Sequence, residues 1–430
     1  MNSKYRLHTR REFLTRGLTI LAAGYTAPSF LARTVWAINN PYAVKTVKSA
    51  PGVADGRVLV VVQLSGGNDG LNTVVPFAFD EYYQNRPVLA VPKSDVLKLN
   101  DQVGLHPNLA KLKDLYDNGK LAVIQGVGYP NPNRSHFSSM EIWHTANPDT
   151  GKVESYGWVG RYFDNVCPGC AKPTVGVALG VSQPLATKSQ KGLGIALNNP
   201  ESFQWMPSPL SNSDDQLEQD IYKILNTPMK GESGPIDFLR HTAMNATLSS
   251  ADVRGAVSNY SGTTTYPNSD FAAKMQLVAK MIGGKLDTKV YYVSIGGFDT
   301  HANQQATQEK LLTDVAEGID AFMKDLAEQG NDDRVIVMTF SEFGRRVAEN
   351  ASGGTDHGTA APMFIVGKGV QPGVHGVQPS LAPDKLDPIG DIVYQTDFRS
   401  VYASILEKWL NAPSEKILGQ KFDLLPLIRA

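Results

Sequence analysis

The chain has 430 residues, and its 41 Lys and Arg against 42 Asp and Glu leave a formal net charge of −1. So even a balance provides no basic field, and neither a nucleic acid nor an anionic membrane is expected as a partner. The length supports one large core or a domain with an insertion, and no internal repeat or low-complexity run divides it.

The first element, "HTRREFLTRGLTILAAGYTAPSFLARTVWA", is read as an export signal over residues 1–37. A basic start leads into a short apolar stretch broken by two glycines and a proline, too weak for a stable spanning helix. Arg10 and Arg11, followed by Phe13 and Leu14, resemble the twin-arginine signal, whose machinery carries folded proteins. Cleavage is expected after Ala37, with Ala32 as the other candidate; the competing reading is an amphipathic surface helix. No later apolar run is long enough to span a bilayer, so the mature chain, residues 38–430, is expected in the periplasm or secreted.

Strand and helix then alternate. "RVLVVVQL" reads as a buried strand, "NLAKLKDLYDNG" as a helix stopped by Gly119, and "KLAVIQGVG" as a second buried strand. A proline-rich loop, "YPNPNRSHFSSMEIWHTA", opens into a helix near Ser135. In "NVCPGCAKP" the only two cysteines, Cys167 and Cys170, are expected to close a small disulfide in an oxidising compartment; a redox pair is the alternative. Residues 172–268 change character, with short strand-like pieces and helices at "QLEQDIYKILN" and "PIDFLRHTAMNATL", and are read as an insertion or cap. The alternation resumes with helix "FAAKMQLVAKMIGG", strand "KVYYVSIGG", a long helix in "QEKLLTDVAEGIDAFMKDLAEQG", strands "RVIVMTF" and "PMFIVG", and helix "DFRSVYASILEKWL". This pattern predicts an α/β three-layer sandwich around a mostly parallel sheet.

Ligands bind beyond the carboxyl ends of such strands. Asp69 follows two glycines after the first strand; Arg134, Ser135 and His136 follow the second. Asp299 and His301 come later, then Glu342, Arg345 and Arg346, and Asp356 and His357 precede "PMFIVG". Each has a plain structural reading: Asp69 and Ser135 as helix caps, Glu342 and Arg345 as a solvated pair, His357 as a satisfied loop histidine. Together they suit a divalent cation: Zn²⁺ or Mn²⁺ with imidazoles, Ca²⁺ or Mg²⁺ with fewer. Arginines beside them suit a tetrahedral oxyanion, and a serine at a helix start suits attack.

"LSGGNDGLN", "GYPNPNRSHFSSMEIW", "GGFDTH", "MTFSEFGRR" and "GTDHGTAAPMFIVG" resemble a twin-arginine-exported bacterial family known as domain of unknown function 1501. That family is similar in layout to the alkaline phosphatase and sulfatase superfamily. The resemblance implies an alkaline-phosphatase-like fold, metal ligands at Asp69, Asp299, His301, Glu342 and His357, and a catalytic role for Ser135; Arg134 and Arg345 are expected to bind the non-reacting oxygens of the ester. Ser138 is a rival nucleophile. Glu342-Phe343 stands where the superfamily has Asp-His, which removes one imidazole from a two-metal centre. The expected function is an exported metal-dependent hydrolase of phosphate or sulfate esters, on a small-molecule or glycan substrate. A non-catalytic binding or assembly protein is the alternative. A metal-free serine hydrolase through Ser65 or Ser135 ranks below both, since the chain lacks a G-x-S-x-G elbow.

Overall fold

The computed structural model describes residues 56–147, 152, 154–166, 172–190, 193–201, 203 and 248–429. The export signal, Cys167 and Cys170, and the two helices expected between residues 216 and 248 lie outside the described residues.

Strand β1 (Val58–Leu64) is buried along its whole length, as its unbroken apolar run requires. A four-residue helix α1 (Gly70–Thr73) follows, then β2 (Val74–Val75), α2 (Asp80–Asn85), β3 (Leu97–Lys98) and β4 (Gly104–Leu105). Helix α3 (Ala110–Asp117) leads through Gly119, at φ +66°, into β5 (Leu121–Gly128). Next come α4 (His136–Thr145), α5 (Trp158–Val166), β6 (Gly176–Leu179) and β7 (Ile195–Leu197). Helix α6 (Asp270–Gly283), β8 (Val290–Ile295), α7 (Gln304–Glu328), β9 (Val335–Phe340) and β10 (Ala361–Val366) continue the chain. Strands β11 (Gly373–His375) and β12 (Thr396–Asp397) and helix α8 (Phe398–Ser404) follow.

The main sheet runs β11-β5-β10-β9-β1-β8-β6-β7, with β12 also on β5. From β9 to β7 every pairing is parallel, and β11 and β12 are parallel to β5. Strand β10 alone runs antiparallel to its neighbours β5 and β9. Side-chain alternation sends Val58, Val60, Val62 and Leu64 to one face, where α3, α6 and α7 pack through Leu112, Met275, Val315 and Phe322. Leu59 and Val61 face the other layer, built from Trp143 of α4, Trp158 of α5 and Tyr402 of α8. The three-layer α/β expectation is met. Within the segment read as an insertion or cap, β6 pairs with β8 in register Gly176↔Val290, so residues 176–197 contain the edge of the main sheet. Strands of three and four residues are too short for periodicity to tell sheet edge from cap.

Candidate metal centre

The parallel strands β1, β8 and β9 release the chain at one edge, and antiparallel β10 begins at that same edge. A parallel β10 would have placed the preceding residues at the opposite end of the sheet. This reversal brings His357 to Asp299 and His301, and an isolated backbone bridge between Arg345 and His357 braces it.

His136, Asp299 and His357 each offer a ligand atom within 4.8 Å of the others. His301 joins them: its Nε2 lies 3.1 Å from Asp299 Oδ1 and 3.0 Å from His357 Nε2. His357 Nε2 is 3.1 Å from the same carboxylate oxygen. His136 Nε2 lies 3.4 Å from Asp299 Oδ2, outside hydrogen-bond geometry, and is buried without a hydrogen-bond partner.

The opposite nitrogen of each ring explains this convergence. His357 Nδ1 donates to the Arg134 carbonyl at 2.8 Å. His301 Nδ1 meets Asp356 Oδ1 at 3.1 Å, and His136 Nδ1 meets Glu342 Oε1 at 2.8 Å. A carbonyl and carboxylates accept only, so the single proton of each neutral imidazole belongs on Nδ1 and each Nε2 presents a lone pair. Three lone pairs and a carboxylate therefore face one region, where they repel unless a cation or extra protons lie between them. The donor set, three imidazoles and one carboxylate with acceptors behind the rings, fits Zn²⁺ or Mn²⁺.

The two glycines after β1 make the approach of these loops feasible. Gly66 has φ +120°, and a Cβ there would lie 2.4 Å from the Asp299 backbone nitrogen. At Gly67, φ +77°, a Cβ would meet the Phe343 ring at 2.4 Å. Phe343 in turn packs against His136 and His357, with ring centroids 4.9 and 4.7 Å away.

The structure separates the remaining sequence candidates from this cluster. Glu342 is 1 % exposed and accepts from the Gly66 amide at 2.8 Å and from His136, so it stands behind the His136 ring. Asp69 lies apart from the cluster: it caps α1 and accepts from Arg86 Nη1 at 2.6 Å and Gln304 Nε2 at 2.5 Å, both on Oδ2. A guanidinium occupies the place expected for a metal. Arg345 is buried and gives its donors to the carbonyls of Gly66, Gly67, Phe298 and Thr355 and, at 2.7 Å, to Asp299 Oδ1. One Nη1 N–H keeps no acceptor among the described residues, on a side chain that is buried. Arg134 likewise pairs with Asp387 and Asp391, each at 2.6 Å. Ser135 is exposed at the N-cap of α4, and its side chain makes no capping bond. Ser138 is half-buried in the first turn.

Burial pushes the Asp299 carboxyl up, but the hydrogen bond and charge of Arg345 outweigh it and hold the group well below the usual carboxylate range. The hydrogen bond from His301 is the main cause of a lowered Asp356. His136 went unassigned as a ligand in the sequence reading, although it opens the helix at Ser135; the signal was its place beside the strand end.

Similarities to other proteins are loose. PsFucS1 sulfatase from Pseudoalteromonas sp. matches at 10% identity and a TM-score of 0.38, covering 93% of this chain and 74% of that one. A protein in the alkaline phosphatase superfamily from Vibrio parahaemolyticus matches at 10% and 0.34, covering 86% and 78%. The C-terminal periplasmic domain of EcEptC from Escherichia coli, in complex with Zn, matches at 9% and 0.33, covering 75% of each chain. No curated protein matches. The family described as "Protein of unknown function (DUF1501)" matches residues 57–398, a span that holds every residue of the cluster, and the chain belongs to that family.

Proposed function

We propose that the protein is a metal-dependent hydrolase of phosphate or sulfate esters whose centre is His136, Asp299, His301 and His357. The convergence of three Nε2 lone pairs on one carboxylate, each ring fixed from behind by its Nδ1 acceptor, carries this reading. The side chains of His357, His136, His301 and Asp299 remain 22, 31, 46 and 47% exposed, so the site is open to solvent and substrate, whereas structural zinc sites are closed. When bound, the ion supplies Lewis-acid stabilisation of charge on the ester oxygens.

This chain's own residues divide the remaining work. Ser135, with its hydroxyl uncommitted and its neighbour a ligand, is the proposed nucleophile, and Ser138 is the alternative. The N-terminal amides of α4, a helix of 10 residues, favour the ester's anionic oxygens. Arg345 orients Asp299, and Arg134 orients His357 through its carbonyl; neither is proposed to grip the substrate. Among Zn, Mn, Ca and Mg, three imidazoles favour Zn or Mn. Twin-arginine export through residues 1–37 to the periplasm, and a small-molecule or glycan ester as substrate, complete the proposal.

The test is hydrolysis of 4-nitrophenyl phosphate and 4-nitrophenyl sulfate by chelated and metal-reloaded protein. Ser135→Ala is expected to keep the ion and lose turnover by at least about 100-fold, while His357→Ala loses both. Turnover that survives chelation overturns the reading. A second reading, a non-catalytic binding protein, is favoured by the internal neutralisation of Arg134 and Arg345, and metal-loaded protein without turnover on a wide ester panel supports it.

A further inference from the structure

Beneath the centre lies a fully buried polar network joining segments distant in sequence. Arg86 and Asp69, both 0% exposed, pair at 2.6 Å. Arg86 also donates to Asn72 Oδ1 at 2.7 Å and to the carbonyls of Arg346 and Val347 at 2.7 and 2.9 Å, just beyond Arg345. From Asp69 the network continues to Gln304 Nε2, and Gln304 Oε1 accepts from Thr300 Oγ1 at 3.1 Å and Thr355 Oγ1 at 2.6 Å. Thr300 sits between Asp299 and His301, and Thr355 is two residues before His357. The Thr355 amide donates to the Thr300 carbonyl at 3.1 Å, so one glutamine clamps two ligand-bearing loops already tied to each other.

The donors around Asp69 are all permanent. Arginine does not deprotonate in proteins, and the amide of Gln304 donates to the same oxygen, Oδ2. The other oxygen faces the Asn72 amide at 3.4 Å. Nothing in that shell makes Asp69 available to an ion.

We propose that Asp69, Arg86 and Gln304 are positioning residues of the metal centre: the buried guanidinium is the cation that Asp69 holds, and Gln304 passes this anchor to both loops that carry ligands. The proposal rests on the metal reading above and adds that each chain takes one ion. Burial makes the anchor rigid, because an unpaired member would be a desolvated charge. Outer partners of this kind tune affinity by holding ligand geometry.

The experiment is a Zn²⁺ titration of chelated protein against a chromophoric chelator, giving stoichiometry and affinity, with thermal melting of the metal-free protein alongside. Wild type is expected to bind one ion per chain. Thr355→Val, which keeps shape and removes one hydroxyl, is expected to bind one ion about 10-fold or more weaker, and Thr355→Ser to restore the affinity. A merely structural role would lower melting temperature and leave affinity unmoved. Unchanged affinity in Thr355→Val overturns the positioning proposal and leaves the metal reading standing. Two ions in wild type, falling to one in Asp69→Asn, also overturn it by making Asp69 a ligand; if Asp69→Asn does not fold, the Thr355 pair decides. No ion on wild type overturns both the proposal and the metal reading.

Discussion

Each imidazole of the cluster is aimed by the acceptor its Nδ1 reaches, and these acceptors differ in kind. His357 has a backbone carbonyl, whereas His136 and His301 have the carboxylates of Glu342 and Asp356. A carboxylate behind the ring raises the basicity of Nε2 as well as fixing its direction. Glu342→Gln keeps the shape and an acceptor for the Gly66 amide but removes the charge behind His136. We expect Zn²⁺ affinity to fall about 10- to 100-fold with stoichiometry unchanged, read by competition titration; unchanged affinity would show that Glu342 does not support the ligand. That Glu342 sits behind His136 was not legible in the sequence. Glu342 and Asp69 both follow strands, and only their neighbours distinguish them: a histidine for one, an arginine for the other.

Helix α4 connects the site to the core. Its first residue is His136, and near its end His144 is buried against the sheet, with Nε2 2.9 Å from Tyr292 Oη and 3.2 Å from Gln63 Oε1. Burial, aided by the Lys188 charge, pulls the His144 imidazole down to about 3. A lowered folded-state pKa means that the unfolded chain binds the extra proton first as pH falls from about 6.5. Stability is therefore full above that value and declines toward pH 3, with a slope of up to about 1.4 kcal/mol per unit. Relative to its own value at pH 7, wild type is expected to lose about 2 kcal/mol more than His144→Phe by pH 5, measured by urea unfolding. Equal pH dependence in the two proteins would contradict this. The helix start at Ser135 was readable from its capping residues, as were the stop at Gly119 and the long α7. The antiparallel sense of β10 was not, because a buried strand shows an apolar run whichever way it lies in the sheet.

Across the whole molecule, the clustered side chains come from His136 to His357, so the cluster exists only once the chain has folded. Among the described residues no helix is long and apolar enough to cross a membrane. Export by machinery that carries folded proteins would deliver such a centre assembled. Replacing Arg10 and Arg11 with lysine is expected to keep the full chain out of the periplasm, checked by fractionation and immunoblot; unchanged export would place it on another route. The sequence by itself determined the α/β alternation, the strand ends at which acids and histidines gather, and the family, because apolar runs, helix stops and local motifs are properties of short segments. Only the tertiary structure decided which of those residues form one cluster. Whether a carboxylate faces an ion, an arginine or a histidine depends on the donors folded around it, and Arg86 and Gln304 reach Asp69 from 17 and 235 residues away.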